Sequence, residues 1–457
     1  MTSPAQENAR MLASILQIGE DHAAEHLNRT ILVTAAKDTA STRWAAEIIA
    51  LLERTVRITI DTDVVTRPHL ELIVGGVKHR SHCRRLYAEI DAARATIGFE
   101  ATVRGRGEAP ALFAATAACT VAAATLSALI DDPALPTVKF PLTLDFAHLG
   151  IPATALEREI NFTGSVLIGA GAVAHGFLRA LRNVHARGIL PIVDPKAVGE
   201  GVLNRCLYLT PDDVGLNKAE VLAARAQPDF PQLQITSAVE TFTSFTKRNG
   251  PTATAIVTVD SRRARRSIQS ELPGRVLDAS TTDVRGVVVH SNLQPNPHAC
   301  LSCIYRHVAD EHAREQSIAD GLGIPLETVK SGFISKDVAV MIARRHSQIN
   351  PEAITGMAFD SLFRQLCAEQ ALATPEGRQV LAPFAFVSSL AGNLLVIELL
   401  RCAAGLSNTN YWSVDPWGAP KRQTRILRRR VPECEFCSRP EVDEVAKELW
   451  GAGDRWW

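Results

Sequence analysis

The sequence predicts an α/β protein made of two doubly wound, largely parallel sheets, and three observations carry that expectation. From about residue 156 onward, short apolar strands alternate with amphipathic helices, the order that lays parallel strands side by side. Residues 1–150 show a fainter version of the same order. Both halves also end on similar long apolar helices. Length agrees, because 457 residues exceed what one ordinary core holds and imply two or three domains.

In the first half, "TILVTA" (30–35) reads as a strand, 41–53 as a helix, "VRITID" (56–61) and "LELIVGG" (70–76) as strands, and 81–94 as a helix. "TAAKDTAST" follows the first strand without a glycine. A turn of that kind keeps the backbone away from a pyrophosphate, so this half is expected to bind no nucleotide. "PALFAATAACTVAAATLSALI" (110–130) has the length of a membrane span, but Ala and Thr insert poorly, and a buried core helix is expected, with no membrane partner.

The second half reads as strand 166–168, helix 172–187, strand 189–194, helix 217–226, and strands 232–238, 254–260, 276–280 and 286–291. Segment 306–379 is helical and polar and reads as an insertion. The closing helix, "PFAFVSSLAGNLLVIELLR", can be laid on 110–130 with Phe386 over Phe113, Ser389 over Thr116, Ala391 over Ala118 and Leu399 over Leu126. With the shared strand order, this suggests a decayed duplication forming an internal pseudo-dimer.

Composition narrows the function classes. Lys plus Arg equals Asp plus Glu at 49 each, so no general nucleic-acid surface is expected, and "RILRRR" (425–430) reads as a solvated loop face. The polar N-terminus lacks the pattern of a signal peptide, and a cytoplasmic location is expected. Nine cysteines include two pairs, "CLSC" (300–303) and "CEFC" (434–437). In a reducing compartment this spacing reads as metal binding, with Cys300, Cys303, Cys434 and Cys437 forming a closed, structural zinc site. A redox pair is the alternative, which the absence of a thioredoxin-like helix after either pair disfavours.

"GSVLIGAGAVAHGFLRAL" (164–181) runs from a strand through a glycine turn into a helix, the Rossmann arrangement for cradling phosphate. Gly169, Gly171 and Ala174 fit the glycine pattern, and Ala172 opens the helix. Asp194, ending the second strand, is placed for ribose hydroxyls. Arg205 follows eleven residues later, Lys218 starts the next helix, and Asp260 ends a strand at the same crevice. An acid for ribose, two cations for phosphates and an acid for Mg²⁺ describe a triphosphate site, which hydride transfer would not need.

These residues resemble the superfamily of ubiquitin-activating enzymes (E1), MoeB and ThiF. Besides the glycine turn, the resemblance rests on "VDPKAVGEGVLNR", "VGLNKA", "VTVDSRRAR", "CLSC", "VLAPFAFVSSLAGNLLVIELL" and "CEFC", in the family's order across about 164–304 and 380–440. It implies an inactive adenylation-like domain over 1–150, an active adenylation domain over 151–305 and 380–457, and a helical catalytic-cysteine insertion over 306–379. It also implies ATP, Mg²⁺ and Zn²⁺ as cofactors, with Asp194 on ribose, Arg205 and Lys218 on phosphates, and Asp260 on Mg²⁺. The sequence departs from the pattern where Val202 replaces an Asn, Cys206 a Gln, and Lys196 an acid; Asn204 then stands as the nearest substitute for the missing amide.

The activity so implied is adenylation of the C-terminal carboxylate of a ubiquitin-like protein, capture on an enzyme cysteine as a thioester, and transfer to an E2-like protein. Cys367, the lone cysteine of the insertion, reads either as that nucleophile or as a buried helix cysteine. Compact chains of this plan resemble the E1 components of bacterial ubiquitination-like operons in antiphage defence. Only 20 residues follow Cys437, too few for the ubiquitin-fold domain that recruits E2 in eukaryotic enzymes. Two other readings stay open: activation of a sulfur carrier or peptide in the manner of ThiF and MoeB, and a non-catalytic Rossmann scaffold.

Overall fold

In the computed structural model, the described residues are 3–60, 67–102, 105–282, 284–295, 297–306, 310–331, 333–368, 384–406 and 408–451, without the side chains of 310–314, 364, 365, 367 and 368. Two sheets stand on either side of a layer of long helices. The first sheet has six strands in the order Arg57–Thr59, Thr30–Ala35, Leu70–Val74, Arg84–Ile90, Arg94–Gly98 and Leu142–Asp145. The second runs Leu233–Ala238, Ala186–Val193, Ser165–Ile168, Thr254–Val257, Arg275–Thr282, Gly286–Leu293, Tyr411–Val414 and Arg425–Ile426, with Ile160–Asn161 paired to its second strand.

Without the edge strand Leu233–Ala238, the first six strands of the second sheet repeat the wiring of the first. In each, the first three pairings are parallel and the next two antiparallel. A long helix lies between the fifth and sixth strands of each half in chain order, Ala111–Ile130 and Ala385–Ala403. The duplication expected from the two apolar helices is therefore present in the topology.

Segment 81–94 is not a helix. It forms the strand Arg84–Ile90 and the start of Arg94–Gly98, because Leu86, Ala88 and Ile90 recur at a period of two and face inward. Helix Ala172–Leu181 also stops six residues short of the expected end, since the next strand begins at Ala186.

The central helices meet closely. Helix Ala385–Ala403 crosses Ala172–Leu181 at Gly392 and Gly176, where a Cβ on Gly392 would lie 2.2 Å from the Gly176 carbonyl carbon and the Phe177 nitrogen. Only glycine permits that approach. Helices Ala111–Ile130 and Ala385–Ala403 are both long and apolar enough to cross a membrane, yet nearly all of their residues are buried inside the protein. One hydrophobic cluster runs from Leu12 and Ile48 through Leu126, Phe177 and Leu390 to Trp412, so the halves share a core.

The insertion packs separately. Helices Asp310–Leu322, Leu326–Lys330, Lys336–Arg345, Pro351–Ile354 and Phe359–Ala368 enclose their own cluster of Ile318, Leu322, Ile342, Phe359 and Phe363. The C-terminal helix Pro440–Trp450 docks on the second half, where the Trp450 indole donates to the Leu272 carbonyl at 2.9 Å.

Candidate functional site

The glycine turn is shaped by contact. Gly169 has φ of +92°, and a Cβ there would sit 3.1 Å from the Val259 nitrogen, so glycine lets this turn press against the neighbouring strand end. Thr258 donates its hydroxyl to the Ile168 and Gly169 carbonyls at 3.0 and 2.8 Å. Gly171 is the N-cap of Ala172–Leu181 and supplies no side-chain acceptor, leaving the first-turn N–H groups aimed at the crevice.

Asp194 closes the strand Ala186–Val193 and braces this turn. Its carboxylate accepts the Ala170 N–H at 2.7 Å and the Lys196 N–H at 2.8 Å. Asn217, which sequence reasoning missed, then ties the next loop down. It caps helix Lys218–Ala226 by accepting from Ala219 and Glu220, and it donates to the Asp194 and Lys196 carbonyls. The N-cap preference of Asn just before "KAEVLA" was a usable signal for it. Burial lowers the Lys218 ammonium below its ordinary value, an effect that nearby Asp194 opposes and Lys196 reinforces. A bound polyphosphate would favour its charged form.

Asp260 lies just past the strand Thr254–Val257 with 58% of its side chain exposed. It pairs with Lys196 at 3.3 Å and accepts the Ser361 hydroxyl at 2.9 Å. Asp194 spends oxygens on backbone amides deep in the turn, whereas Asp260, though partnered, is the carboxylate that solvent reaches, so of the two it is the one whose chemistry and exposure fit Mg²⁺. Ser361 belongs to the insertion, and the contact is reciprocal: Ser261 donates to Asp360 at 2.8 Å. Gly356 rests beside Pro195, and Arg263 bonds Glu315 and the Val329 carbonyl. The insertion thus sits over the C-terminal strand ends where the crevice opens.

Cys367 lies in helix Phe359–Ala368, six residues or about 9 Å of helix beyond Ser361. Its side chain and the "VLAP" segment lie outside the described residues. Cys206, which stands where the family has a Gln, is 1% exposed, and burial raises its thiol pKa. That environment suits a packed thiol rather than a thiolate.

Arg205 and Asn204 end the short 3₁₀ segment Glu200–Asn204. Arg205 donates through Nη1 to the Gly201 carbonyl at 3.1 Å and to Asn204 Oδ1 at 2.7 Å. The Asn204 amide is buried and turned to the N-terminal half, donating to Asn8 Oδ1 at 2.8 Å. The structure therefore brings Gly169, Gly171, Ala172, Asp194, Lys218 and Asp260 around one crevice, with Arg205 held from a neighbouring segment.

The four paired cysteines converge elsewhere. Their sulfurs lie within 4.8 Å of one another, with Cys300 3.7 Å from both Cys303 and Cys434, and Cys303 3.4 Å from Cys437. Tetrahedral thiolate zinc, with Zn–S of about 2.3 Å, needs sulfurs about 3.8 Å apart. The set fits zinc. The Val431 N–H donates to Cys303 at 3.4 Å, as an outer-shell amide would. "CLSC" does open a short helical turn, Leu301–Ile304, that no local pattern announces.

Comparison with known proteins agrees with this architecture. The family model described as ThiF family matches residues 146–436, and that of the E1 N-terminal domain matches residues 1–152. A protein of Sinorhizobium fredii (strain NBRC 101917 / NGR234), "Uncharacterized protein y4jF", is 27% identical over 317 residues. The match takes in 66% of this chain and spans 60% of that relative's length. Among solved structures, E. coli MccB with MccA-N7isoASN is similar at 14% identity, covering 62% of this chain and 68% of that one, with a TM-score of 0.38. E. coli MccB with ATP matches at 13% identity over 62% and 67%, also with a TM-score of 0.38.

Proposed function

The chain belongs to the ThiF family, within the superfamily of E1, ThiF and MoeB proteins, and on that premise we propose that it adenylates the C-terminal carboxylate of a ubiquitin-like protein and passes it to an E2-like protein. The observation that carries the reading is the meeting of Asp194, Lys218 and Asp260 at one crevice beneath an insertion that bears Cys367.

In the first step a carboxylate oxygen of the partner attacks the α-phosphorus of ATP, the α–β bridging bond breaks, and pyrophosphate leaves. A carboxylate meeting a polyanion is repelled, so positive groups must lie where charge accumulates. Lys218, Lys196 and the first-turn amides beyond Gly171 supply them, and Arg205 adds a guanidinium from its own segment. Asp194 holds the glycine turn at the height of the ribose. Mg²⁺, held by Asp260, would neutralise phosphate charge when bound.

In the second step the Cys367 thiolate attacks the acyl carbon, the mixed anhydride bond breaks, and AMP leaves. A thioester exchange onto an E2-like cysteine follows. The resemblance to E1 components of bacterial antiphage operons supplies this setting.

Cys367→Ala separates the two steps. The variant is expected to keep partner-dependent ATP–pyrophosphate exchange while losing any reductant-sensitive covalent adduct with a small β-grasp protein. An adduct of unchanged yield would overturn the thioester step and leave activation of a carrier or peptide. Absence of exchange in the unmodified protein, with its partner present, would overturn adenylation.

A further inference from the structure

Outside the crevice, a buried polar path joins the N-terminal half to Arg205. It starts at the Arg54 carbonyl, which accepts the Asn8 amide nitrogen at 2.7 Å. Asn8 Oδ1 accepts from Asn204 Nδ2 at 2.8 Å, and Asn204 Oδ1 accepts from Arg205 Nη1 at 2.7 Å. Asn8 and Asn204 are 3% and 2% exposed, so water does not compete for these bonds.

The path has a direction. A carbonyl only accepts and a guanidinium only donates, so the two ends fix which way each amide faces. The Arg54 side chain pins the same segment from its other edge, donating to the carbonyls of Leu203, Leu207 and Leu209 at 2.8, 3.0 and 3.3 Å. Helix Pro4–Leu16, which carries Asn8, packs directly on the 3₁₀ segment Glu200–Asn204. Nη1 of Arg205 is bonded to Gly201 and Asn204, which fixes the plane of its guanidinium.

We propose that Asn8 is a positioning residue for ATP binding: from the half that holds no nucleotide, it sets the pose of Arg205 through Asn204. The inference rests on the nucleotide reading of the crevice. Arginine has a long, flexible side chain, and holding it in one pose before the ligand arrives lowers the ordering cost of binding. The contribution is to affinity, since Asn8 touches neither the nucleotide nor a reacting atom.

The test is titration calorimetry of ATP with Mg²⁺ into the full chain, alongside thermal melting. Wild type is expected to bind one ATP, and Asn8→Ala to bind it about tenfold more weakly, the loss expected when a charge-assisted contact is no longer held in place. Asn8→Ser, whose hydroxyl is too short to reach Asn204, should weaken binding similarly and serves if the alanine variant does not fold. A lower melting midpoint with unchanged ATP affinity in the folded protein would reduce Asn8 to a structural contact and overturn the inference. Wild type failing to bind ATP would overturn the nucleotide reading itself, a different and recognisable outcome.

Discussion

Where the second sheet leaves Ile168 through Gly169 and Gly171 into its helix, the first leaves Thr34 through Ala35 and Ala36 into Thr39–Leu52. Register makes the comparison position by position. Thr34 pairs with Ile73 as Ile168 pairs with Val257, while Leu72 and Ile256 both face the common core. On that register Ala35 stands for Gly169, and Gly76 stands for Asp260. Among the described residues, the first sheet therefore keeps neither the glycine nor the acid at these two positions.

Its outer face has diverged as well. Helices Phe242–Asn249 and Arg262–Ser270 cover an apolar layer of Val166, Ile168 and Val257 on the second sheet. On the first, Glu71 is fully buried and accepts from the Thr34 hydroxyl and from the Arg80 and Ser81 amides. A buried carboxylate needs such donors to offset its lost hydration. Strand order and the inner helices have persisted in both halves because they share one core, whereas residues at the strand ends outside that core have diverged. The difference teaches that wiring is held by packing and chemistry by local residues.

The sharpest way to break this comparison is Asp260→Ala, which should lower partner-dependent pyrophosphate exchange by about 10²–10³-fold, the usual loss when a key charge contact disappears. Gly76→Asp restores the acid in the other half and should leave binding at one ATP per chain, since no glycine turn lies beside it. Intact exchange in the first variant, or two ATP per chain in the second, would contradict the assignment.

Next in size is the four-cysteine cluster, which among the described residues lies in the second half. Cys434→Ser with Cys437→Ser should remove one zinc per chain by elemental analysis and lower the melting midpoint by about 5–10 °C, as loss of a closed thiolate site weakens the fold it ties. Zinc retained at full occupancy would refute the site.

The paired helices offer a subtler contrast. Gly392 and Cys119 occupy equivalent positions when Phe386 is laid on Phe113, and Gly392 lies directly against the Gly176 backbone. Gly392→Cys should cost about 1–3 kcal/mol or more in urea unfolding through overpacking, and Cys119→Ala under about 1.5 kcal/mol. Equal costs would mean the two crossings are alike.

The smallest effect is a titration. Because Lys218 is held below the ordinary lysine value of 10.5, its charge is lost earlier as pH rises. ATP affinity should therefore fall with rising pH beginning below pH 10.5, and Lys218→Arg should remove that limb. An affinity flat to pH 10.5 in wild type would separate Lys218 from the phosphates.

Much of this architecture was legible beforehand. The second sheet announced itself because strands buried on both faces are continuous apolar runs, as in "TAIVTV", and the crevice residues fall at the ends of those strands. The first sheet was harder. "RRLYAEIDAARA" mixes alanine with a period of two, and the alanines drew a helical reading that cross-strand pairing overrode. Asn8, Arg54 and Ser361 gave no signal, because their roles depend on partners 46 to 196 residues away or on a docked insertion, and no local pattern encodes such contacts.

One consequence of the shared core concerns the order of synthesis. Helix Ala111–Ile130 is complete when residue 130 has been made, but the helix it packs against begins at Ala385, roughly 255 residues later. At about 5–20 residues per second on the ribosome, its partner-facing side stays uncovered for about 13–50 s. During that interval the nascent chain displays a twenty-residue apolar helix resembling a membrane segment. The N-terminal half is thus made first and finished last, and its yield in the cell depends on what shields that helix until the second half arrives.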